Sequence, residues 1–273
     1  MPTSALVLAL CAAVVHATWN MLVARERDPQ AATALGGVAG ALLLAPFAIA
    51  TWRVQSAALP FAAASALIHI AYFALLALGY TRADLSTVYP LARGTAPVLV
   101  LAGGVVVLGD SPSLVQAAGV VLVGAGVLLV RGLRRDLDRS GELIGLAVGI
   151  SIAAYTLVDK RGVAHAAALP YLLLLNAPAS LAYLGWVARS RGRAIAAELR
   201  PVTVLIGAGM MGAYALVLAA LQQGPAAGVA ATRETSILVA TAFGALVLRE
   251  RVTRSRALGA GAIVAGVAAV ALG

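Results

Sequence analysis

The stretch that decides the fold is LARGTAPVLVLAGGVVVLGDSPSLVQAAGVVLVGAGVLLV, residues 91–130, because the chain repeats its pattern 140 residues later. It aligns without a gap with ATRETSILVATAFGALVLRERVTRSRALGAGAIVAGVAAV, residues 231–270. Stretches this rich in Ala, Val and Leu match often by chance, so the rarer residue types carry the alignment. They place Arg93 on Arg233, Thr95 on Thr235, Asp110 on Glu250, Gly119 on Gly259 and Gly126 on Gly266. The chain therefore contains two related halves.

Composition indicates an integral membrane protein. Hydrophobic residues make up 62% of the 273 positions, charged residues make up 11%, and the mean hydropathy is +0.95. A soluble domain carries about 25% charged residues. The single Cys11 can form no internal disulfide, so cysteine content says nothing about the redox compartment.

Apolar segment lengths predict an all-α protein with ten transmembrane helices. A bilayer core of about 30 Å needs about 20 helical residues per crossing. The predicted helices lie near 3–24, 30–52, 57–80, 84–108, 111–131, 142–162, 166–188, 199–221, 226–248 and 252–272. We expect a first five-helix repeat at 1–133, a linker at 134–141 and a second repeat at 142–273. Because five is odd, the second copy must enter the membrane in the opposite sense, which makes an inverted repeat of the kind found in secondary transporters.

Basic residues predict the orientation. Of the 20 Lys and Arg residues, 15 lie in the loops after helices 1, 3, 5, 7 and 9, and 3 lie in loops on the other side. Positively charged loops stay in the cytoplasm, so both termini are predicted on the non-cytoplasmic side of a bacterial-type plasma (inner) membrane. The net charge of +9 therefore reflects loop placement and predicts no nucleic-acid partner.

Two arginines, Arg93 and Arg233, lie inside apolar stretches at equivalent positions of the repeat. A charged side chain at the bilayer centre costs about 2.5 to 3.5 kcal/mol on insertion scales, so it normally faces a cavity and marks a substrate or ion path. We expect Arg93 to be the main substrate ligand and Arg233 to be coupled to Glu234, a proton-carrier candidate. The alternative is a structural ion pair, either Arg233 with Glu234 or Arg93 with Asp84.

Polar and aromatic residues recur on single faces of several helices, which indicates a central cavity. The predicted substrate-binding residues are His16, Trp19, Asn20, His69, Tyr72, Tyr89, Arg93, Tyr155, Tyr214 and Arg233. Other positions favour structural roles. Asn176 and Ser180 are expected to hydrogen-bond a neighbouring helix. Asp159, beside Lys160 and Arg161, is expected to end helix 6 as a solvated ion pair.

Glycines predict close packing between helices 5 and 10. Helix 5 carries Gly119, Gly124 and Gly126, and helix 10 carries Gly259, Gly261 and Gly266. Small residues let helix backbones approach one another in a membrane.

Several strings resemble the EamA-type members of the drug/metabolite transporter superfamily. Each half has a carboxylate after a Leu-rich helix and then a Gly-containing helix ending AGVLLV or AGVAAVAL. The more particular strings are HATWN at 16–20, YPLARGTAPVLV at 89–100, YTLVDKRGV at 155–163 and RETSILVA at 233–240. The resemblance covers essentially the whole chain and implies a ten-helix transporter, from a subgroup associated with phosphonate or small-metabolite export.

The sequence predicts a secondary transporter and no enzyme, cofactor or metal site. It contains no Gly-rich phosphate loop, HExxH motif or nucleophile elbow. Two arginines favour a small anionic or zwitterionic substrate, such as an amino acid, organic acid or phosphonate, exported by alternating access with possible proton or ion coupling. The partners are this small molecule and the lipid bilayer. The alternatives are a non-transporting scaffold or lipid-handling protein, and a multidrug exporter of lipophilic cations.

Overall fold

The computed structural model describes residues 1–82, 85–131, 139–247 and 253–273. The described chain consists of helices joined by short connections. These are α1 (Thr3–Val23), α2 (Pro29–Ala50), α3 (Leu59–Arg82), α4 (Leu85–Gly103), α5 (Leu114–Arg131), α6 (Arg139–Gly162), α7 (Ala168–Arg191), α8 (Pro201–Gln223), α9 (Ala226–Arg233), α10 (Ser236–Val247) and α11 (Arg254–Leu272). The described chain also contains two 3₁₀ segments, Ser56–Ala58 and Gly192–Glu198, and a π-helical segment, Gly104–Leu108.

Local sequence explains where the helices begin. Asp28 caps α2 by accepting hydrogen bonds from the backbone N–H groups of Gln30 and Ala31, and Pro29 occupies the first helical position. Pro201 likewise stands at the start of α8, where no side chain caps the helix. Eight helices in the described ranges are long and apolar enough to cross a membrane. The all-helical membrane class is therefore confirmed, while the count of ten crossings stays a prediction.

The predicted ninth helix, 226–248, is wrong as a single helix. The chain makes a break instead, with α9 ending at Arg233 and α10 beginning at Ser236. The amides of Glu234 and Thr235 donate to the carbonyls of Ala231 and Thr232, each at 3.1 Å. These hydrogen bonds span three residues, as in a 3₁₀ turn. They tighten the last turn of α9 and end its series of α-helical hydrogen bonds. Discontinuous helices of this kind form binding sites in transporters.

Glycines bring pairs of helices into backbone contact. A Cβ atom added at Gly119 would lie 2.7 Å from the carbonyl oxygen of Gly266, and one at Gly126 would lie 2.8 Å from that of Gly259. The predicted packing of helix 5 on the last helix, α5 on α11, is thereby confirmed. A second crossing joins α2 and α8, where a Cβ at Gly207 would lie 2.1 Å from the Gly36 oxygen.

Contacts at one end of the bundle bring distant connections together, and we call this the terminal end. The Met1 ammonium lies 3.4 Å from the Ala271 oxygen, so the N-terminus meets the end of α11 there. Hydrogen bonds also join the α2–α3 and α6–α7 connections: Gln55 N to His165 O at 3.0 Å, and Ala167 N to Arg53 O at 2.8 Å. At the opposite end, Arg191 binds Asp28 at 2.6 Å.

Candidate functional site

A cavity of about 660 Å³ lies between the two halves of the bundle. Its walls come from both repeats, with side chains of α1, α3 and α4 facing side chains of α6 to α10. It extends from the middle of the bundle to Ala24, Pro29 and Gln30, at the α1–α2 connection. The cavity therefore opens toward the end opposite to the termini.

Nine of the ten predicted substrate-binding residues line this one cavity. They are His16, Trp19, Asn20, His69, Tyr72, Arg93, Tyr155, Tyr214 and Arg233. The side chain of the tenth, Tyr89, lies outside the described residues. The structure thus brings the polar faces of six helices together, and their role in binding a substrate stays a prediction.

Arg93 and Glu234 form a buried ion pair beside the cavity. Arg93 Nε lies 3.0 Å from Glu234 Oε2, and the side chains are only 8% and 4% exposed. Arg93 Nη2 also donates to Ser236 Oγ at 3.0 Å. The predicted coupling of Glu234 to Arg233 is wrong. Successive residues near a helix end point in different directions, so the neighbour of Arg233 faces α4 instead. The alternative partner of Arg93, Asp84, lies outside the described residues.

Arg233 has a different environment from its counterpart in the repeat. Its guanidinium lies 5.9 Å from the centroid of the Tyr214 ring, a cation–π distance. It also interacts with the Tyr155 hydroxyl. Within the described ranges no carboxylate oxygen lies within 4.0 Å of it. Arg233 is therefore the cavity cation that is available to an incoming anion.

Aromatic rings form one continuous wall of the cavity. The His69 ring stacks on Tyr155 with centroids 4.3 Å apart, and Tyr155 meets Tyr72 at 6.2 Å and Tyr214 at 6.0 Å. Such packing fixes the ring positions, while the Tyr155 hydroxyl interacts with Arg233 and the Tyr214 hydroxyl donates to Asp159. The wall offers both apolar contact area and hydrogen-bonding groups to a small molecule.

Asp159 lies inside the protein, so the prediction of a solvated pair at the end of helix 6 is wrong. Its side chain is 0% exposed. Tyr171 donates to Asp159 Oδ1 at 3.0 Å, and Tyr214 donates to Oδ2. Lys160 instead donates to backbone oxygens of α8 and the residue after it, Leu221 at 2.6 Å and Gly224 at 3.0 Å. Because α6 continues to Gly162, Asp159 faces the neighbouring helices rather than water.

Comparison with known proteins identifies the chain. The model of the EamA-like transporter family matches it twice, at residues 3–132 and 139–272. The chain belongs to the EamA-like transporter family. A solved crystal structure superimposes on this EamA-like protein with a TM-score of 0.78, covering 100% of this chain and 98% of the other at 16% identity. That level of identity shows a shared fold alone. No curated protein matches the sequence.

Membership of the family makes this EamA-like protein a multi-pass membrane transporter. Its two matched regions each contain one copy of the repeat that the sequence alignment detects. Among the described residues, no group of three or more His, Cys, Asp and Glu side chains is arranged to hold a metal ion.

Two residues of this EamA-like protein that were expected to have structural roles lie at or next to the cavity. Asn176 lines the cavity, and its Oδ1 accepts from Ser180 Oγ at 2.6 Å within α7. The bond to a neighbouring helix predicted for this pair is therefore wrong. A signal was present, because Asn176 shares a helix face with Tyr183, which also lines the cavity. For Asp159 the signal was its place on one helix face with Ser151 and Tyr155, but its partners Tyr171 and Tyr214 come from other helices.

Proposed function

We propose that this transporter exports a small anionic or zwitterionic metabolite by alternating access of its two halves. The observation that carries the proposal is the convergence of Arg93 and Arg233, one from each repeat, on a single cavity between the repeats. A secondary transporter holds its substrate at such an interface and exposes it first to one side and then to the other.

The anionic group of the substrate would bind at Arg233 rather than at Arg93, the main ligand expected from the sequence, because Arg93 is already paired with Glu234. A guanidinium presents a planar set of N–H donors that pairs with a carboxylate or phosphonate through two parallel hydrogen bonds. The Tyr214 ring and the Tyr155 hydroxyl hold the Arg233 guanidinium at the cavity surface. An amino acid, organic acid or phosphonate fits a cavity of about 660 Å³, and Asn176 supplies an amide to its remaining polar groups.

Glu234 would couple transport to protons through its contact with Arg93. A substrate anion that approaches Arg93 competes with Glu234 for the same guanidinium, because the ion pair lies at the cavity wall. A carboxylate that loses its cation in a low-dielectric site favours its neutral form and so takes up a proton. Binding of substrate and binding of a proton would then favour each other, so solute and proton would leave together and the outward solute gradient would drive export.

Export is supported by the shape of the cavity and the placement of the basic loops. The cavity reaches the α1–α2 connection, at the end that the positive-inside pattern predicts to be cytoplasmic. At the terminal end, hydrogen bonds between connections close the bundle. In a bacterial plasma membrane this conformation would load its solute from the cytoplasm.

The two alternative functions fit the site less well. A lipophilic cation needs a carboxylate exposed in the cavity. Glu234 is paired with Arg93, Asp159 is buried behind Tyr214, and Arg233 adds a second positive charge at the cavity. A scaffold without transport needs no cavity and predicts neither ligand binding nor flux.

A ligand panel tests the proposal. Purified protein would be heated with alanine, succinate, methylphosphonate or tetraphenylphosphonium, and stabilisation by at least one anionic or zwitterionic probe is expected. The stabilising probe would then be followed in counterflow with proteoliposomes. Arg233→Gln should abolish both effects, while Arg27→Gln, which changes an exposed loop arginine, should leave both unchanged. Stabilisation by tetraphenylphosphonium alone would favour the multidrug alternative, and no flux of any probe would favour the scaffold.

A further inference from the structure

Asp159 is a fully buried carboxylate that connects the two halves of the protein. This contact is separate from the Arg93–Glu234 pair. It receives hydrogen bonds from Tyr171 of α7 and Tyr214 of α8, and the Ser65 hydroxyl of α3 interacts with it as well. Ser65 belongs to the first repeat and the other three residues to the second. The state of this carboxylate therefore affects contacts between the repeats.

The ring of His69 connects Ser65 to the aromatic wall. His69 Nδ1 lies 2.8 Å from the Ser65 carbonyl oxygen and 3.3 Å from Ser65 Oγ. Because a carbonyl only accepts, the short contact requires a proton on Nδ1. The imidazole is thus fixed in orientation, and its face stacks on Tyr155.

The partners of Asp159 can serve either protonation state. A hydroxyl group both donates and accepts, and its hydrogen rotates to suit its neighbour. The hydroxyls of Ser65, Tyr171 and Tyr214 can donate to an ionised carboxylate, and any one of them can accept from a protonated one. A buried ionised carboxylate without a cationic partner is otherwise costly. Lys160, the adjacent residue, donates to backbone carbonyls instead.

Charged and titratable groups on the surrounding helices are few. The titratable side chains near Asp159 are His69 on α3, Tyr171 on α7 and Tyr214 on α8. Tyr155 lies one turn away on α6 itself. Arg93 on α4 is paired with Glu234. Arg233 on α9 contacts Tyr214 and Tyr155. Beyond Lys160, Arg161 donates to the Val107 carbonyl and Asp110 faces Lys160. None of these cations pairs directly with Asp159 within the described ranges.

The position of Asp159 links the cavity to the closed end of the bundle. Tyr214 lines the cavity and donates to Asp159, so a single hydroxyl separates the carboxylate from the solute path. On the other side, Lys160 binds the end of α8, and Gln222 donates to the carbonyls of Val163 at 3.1 Å and Ala166 at 3.0 Å. These bonds hold α6 against α8 where the terminal end is sealed.

We propose that Asp159, together with Ser65, Tyr171 and Tyr214, forms a proton-binding site that is separate from the Arg93–Glu234 pair and controls the seal at the terminal end. Loss of the negative charge on protonation weakens the pull on the two tyrosine hydroxyls, which lie on α7 and α8. The contact that holds these helices against α6 then loosens, and the terminal end can open. The inference adds a second proton-binding site, besides the one proposed at Glu234, to the proposed transport cycle.

Proton binding can be measured without any solute. Proteoliposomes of the full-length protein on a solid-supported membrane would receive a pH jump, and a proton entering a buried site produces a transient current. We expect the wild type to give this current and Asp159→Asn to reduce it to the level of protein-free liposomes. Asp28→Asn is the matched control and should keep it, because it removes a carboxylate that Arg191 pairs at the opposite end of the bundle.

A second variant keeps the test decisive if Asp159→Asn fails to fold. Tyr171→Phe removes one donor to the ionised carboxylate, which favours the protonated form, so the midpoint of the current should move to higher pH. Tyr171 does not line the cavity, so solute binding should be unaffected. Absence of current in the wild type, an undiminished current in Asp159→Asn, or an unchanged midpoint in Tyr171→Phe overturns the proposal. A protein that gives the current but moves no solute would instead refute only the proposed function.

Discussion

Arg93 Nε lies 3.0 Å from Glu234 Oε2, and this contact connects α4 of the first repeat to the break between α9 and α10 of the second. The repeat aligns Arg93 with Arg233 and Glu234 with Gly94, so only the second half supplies a carboxylate. The two equivalent arginines consequently have different chemistry. One is neutralised by an internal partner, and the other remains available to a ligand.

Removal of either member of this pair should destabilise the protein. Breaking a buried ion pair typically costs about 3–5 kcal/mol because the remaining charge is left without its partner. We expect Arg93→Ala and Glu234→Ala each to lower the melting temperature in detergent, and the double variant to be more stable than the sum of the single effects implies. Simple additivity in this double-mutant cycle would contradict the pairing.

Close contact between α2 and α8 predicts a strong effect at Gly207. An added Cβ atom would lie 2.1 Å from the Gly36 oxygen, so Gly207→Ala must push the two helices apart. Overpacking typically costs about 1–3 kcal/mol and should appear as a lower melting temperature and a lower yield. Gly212→Ala is the control, because nothing lies within 4 Å of that position and alanine favours the helix. Equal melting temperatures for the two variants would argue against this crossing.

Cysteine labelling should map the cavity. In a Cys11→Ser background, cysteines at His16 and Tyr72 should react with a small hydrophilic thiol reagent, because both positions line the cavity. Cysteines at Leu43 and Val121 should stay unreactive, since these side chains point outward from an apolar surface that lipid covers. A stabilising solute should slow labelling at the first two sites only. Similar rates at all four positions would show that no such water-filled cavity exists.

Reporter fusions test the predicted topology. An enzyme active only in the cytoplasm should be inactive when fused after Gly273 and active when inserted between residues 131 and 141. Met1 and the end of α11 lie at the same end of the bundle, so a fusion before Met1 should behave like the one after Gly273. The opposite activity pattern would show that the predicted orientation is wrong and that the cavity opens toward the outside.

Acid should weaken the contact between α2 and α7. Partial burial alone would raise the pKa of Asp28, but hydrogen bonds from Arg191 and from the amides of Ala31 and Gln30 outweigh burial and hold this pKa below its usual value. A carboxyl whose pKa is depressed by folding stabilises the protein above its unfolded pKa of about 3.9 and loses that contribution as pH falls through its folded pKa.

The variant Asp28→Asn isolates this charge. Asparagine still caps α2 but cannot form an ion pair with Arg191. We expect the wild type to melt at a higher temperature than Asp28→Asn above about pH 4, with the difference vanishing in stronger acid. For a partly exposed pair the effect should not exceed about 1 kcal/mol. A difference that persists in acid would assign the stabilisation to something other than the ion pair.

The sequence by itself determined the membrane class, the repeat and the family resemblance. Lipid permits only structures whose backbone hydrogen bonds are satisfied within the segment, so long apolar runs had to be helices. Spacing of three or four residues then fixed which polar side chains share a helix face, and for His16, Tyr155 and Tyr214 this was enough to place them at one cavity.

Only the tertiary structure determined which side chains contact the buried charged residues. Glu234 lies beside Arg233 in the chain but contacts Arg93, and the break after α9 that turns it there depends on three-residue hydrogen bonds rather than on a proline or glycine. Asp159 lies beside Lys160 yet contacts Tyr171 and Tyr214. Sequence neighbours on a helix point in different directions, and the partner of a buried charge is set by which helix packs opposite. That is a property of the assembled bundle and not of any single segment.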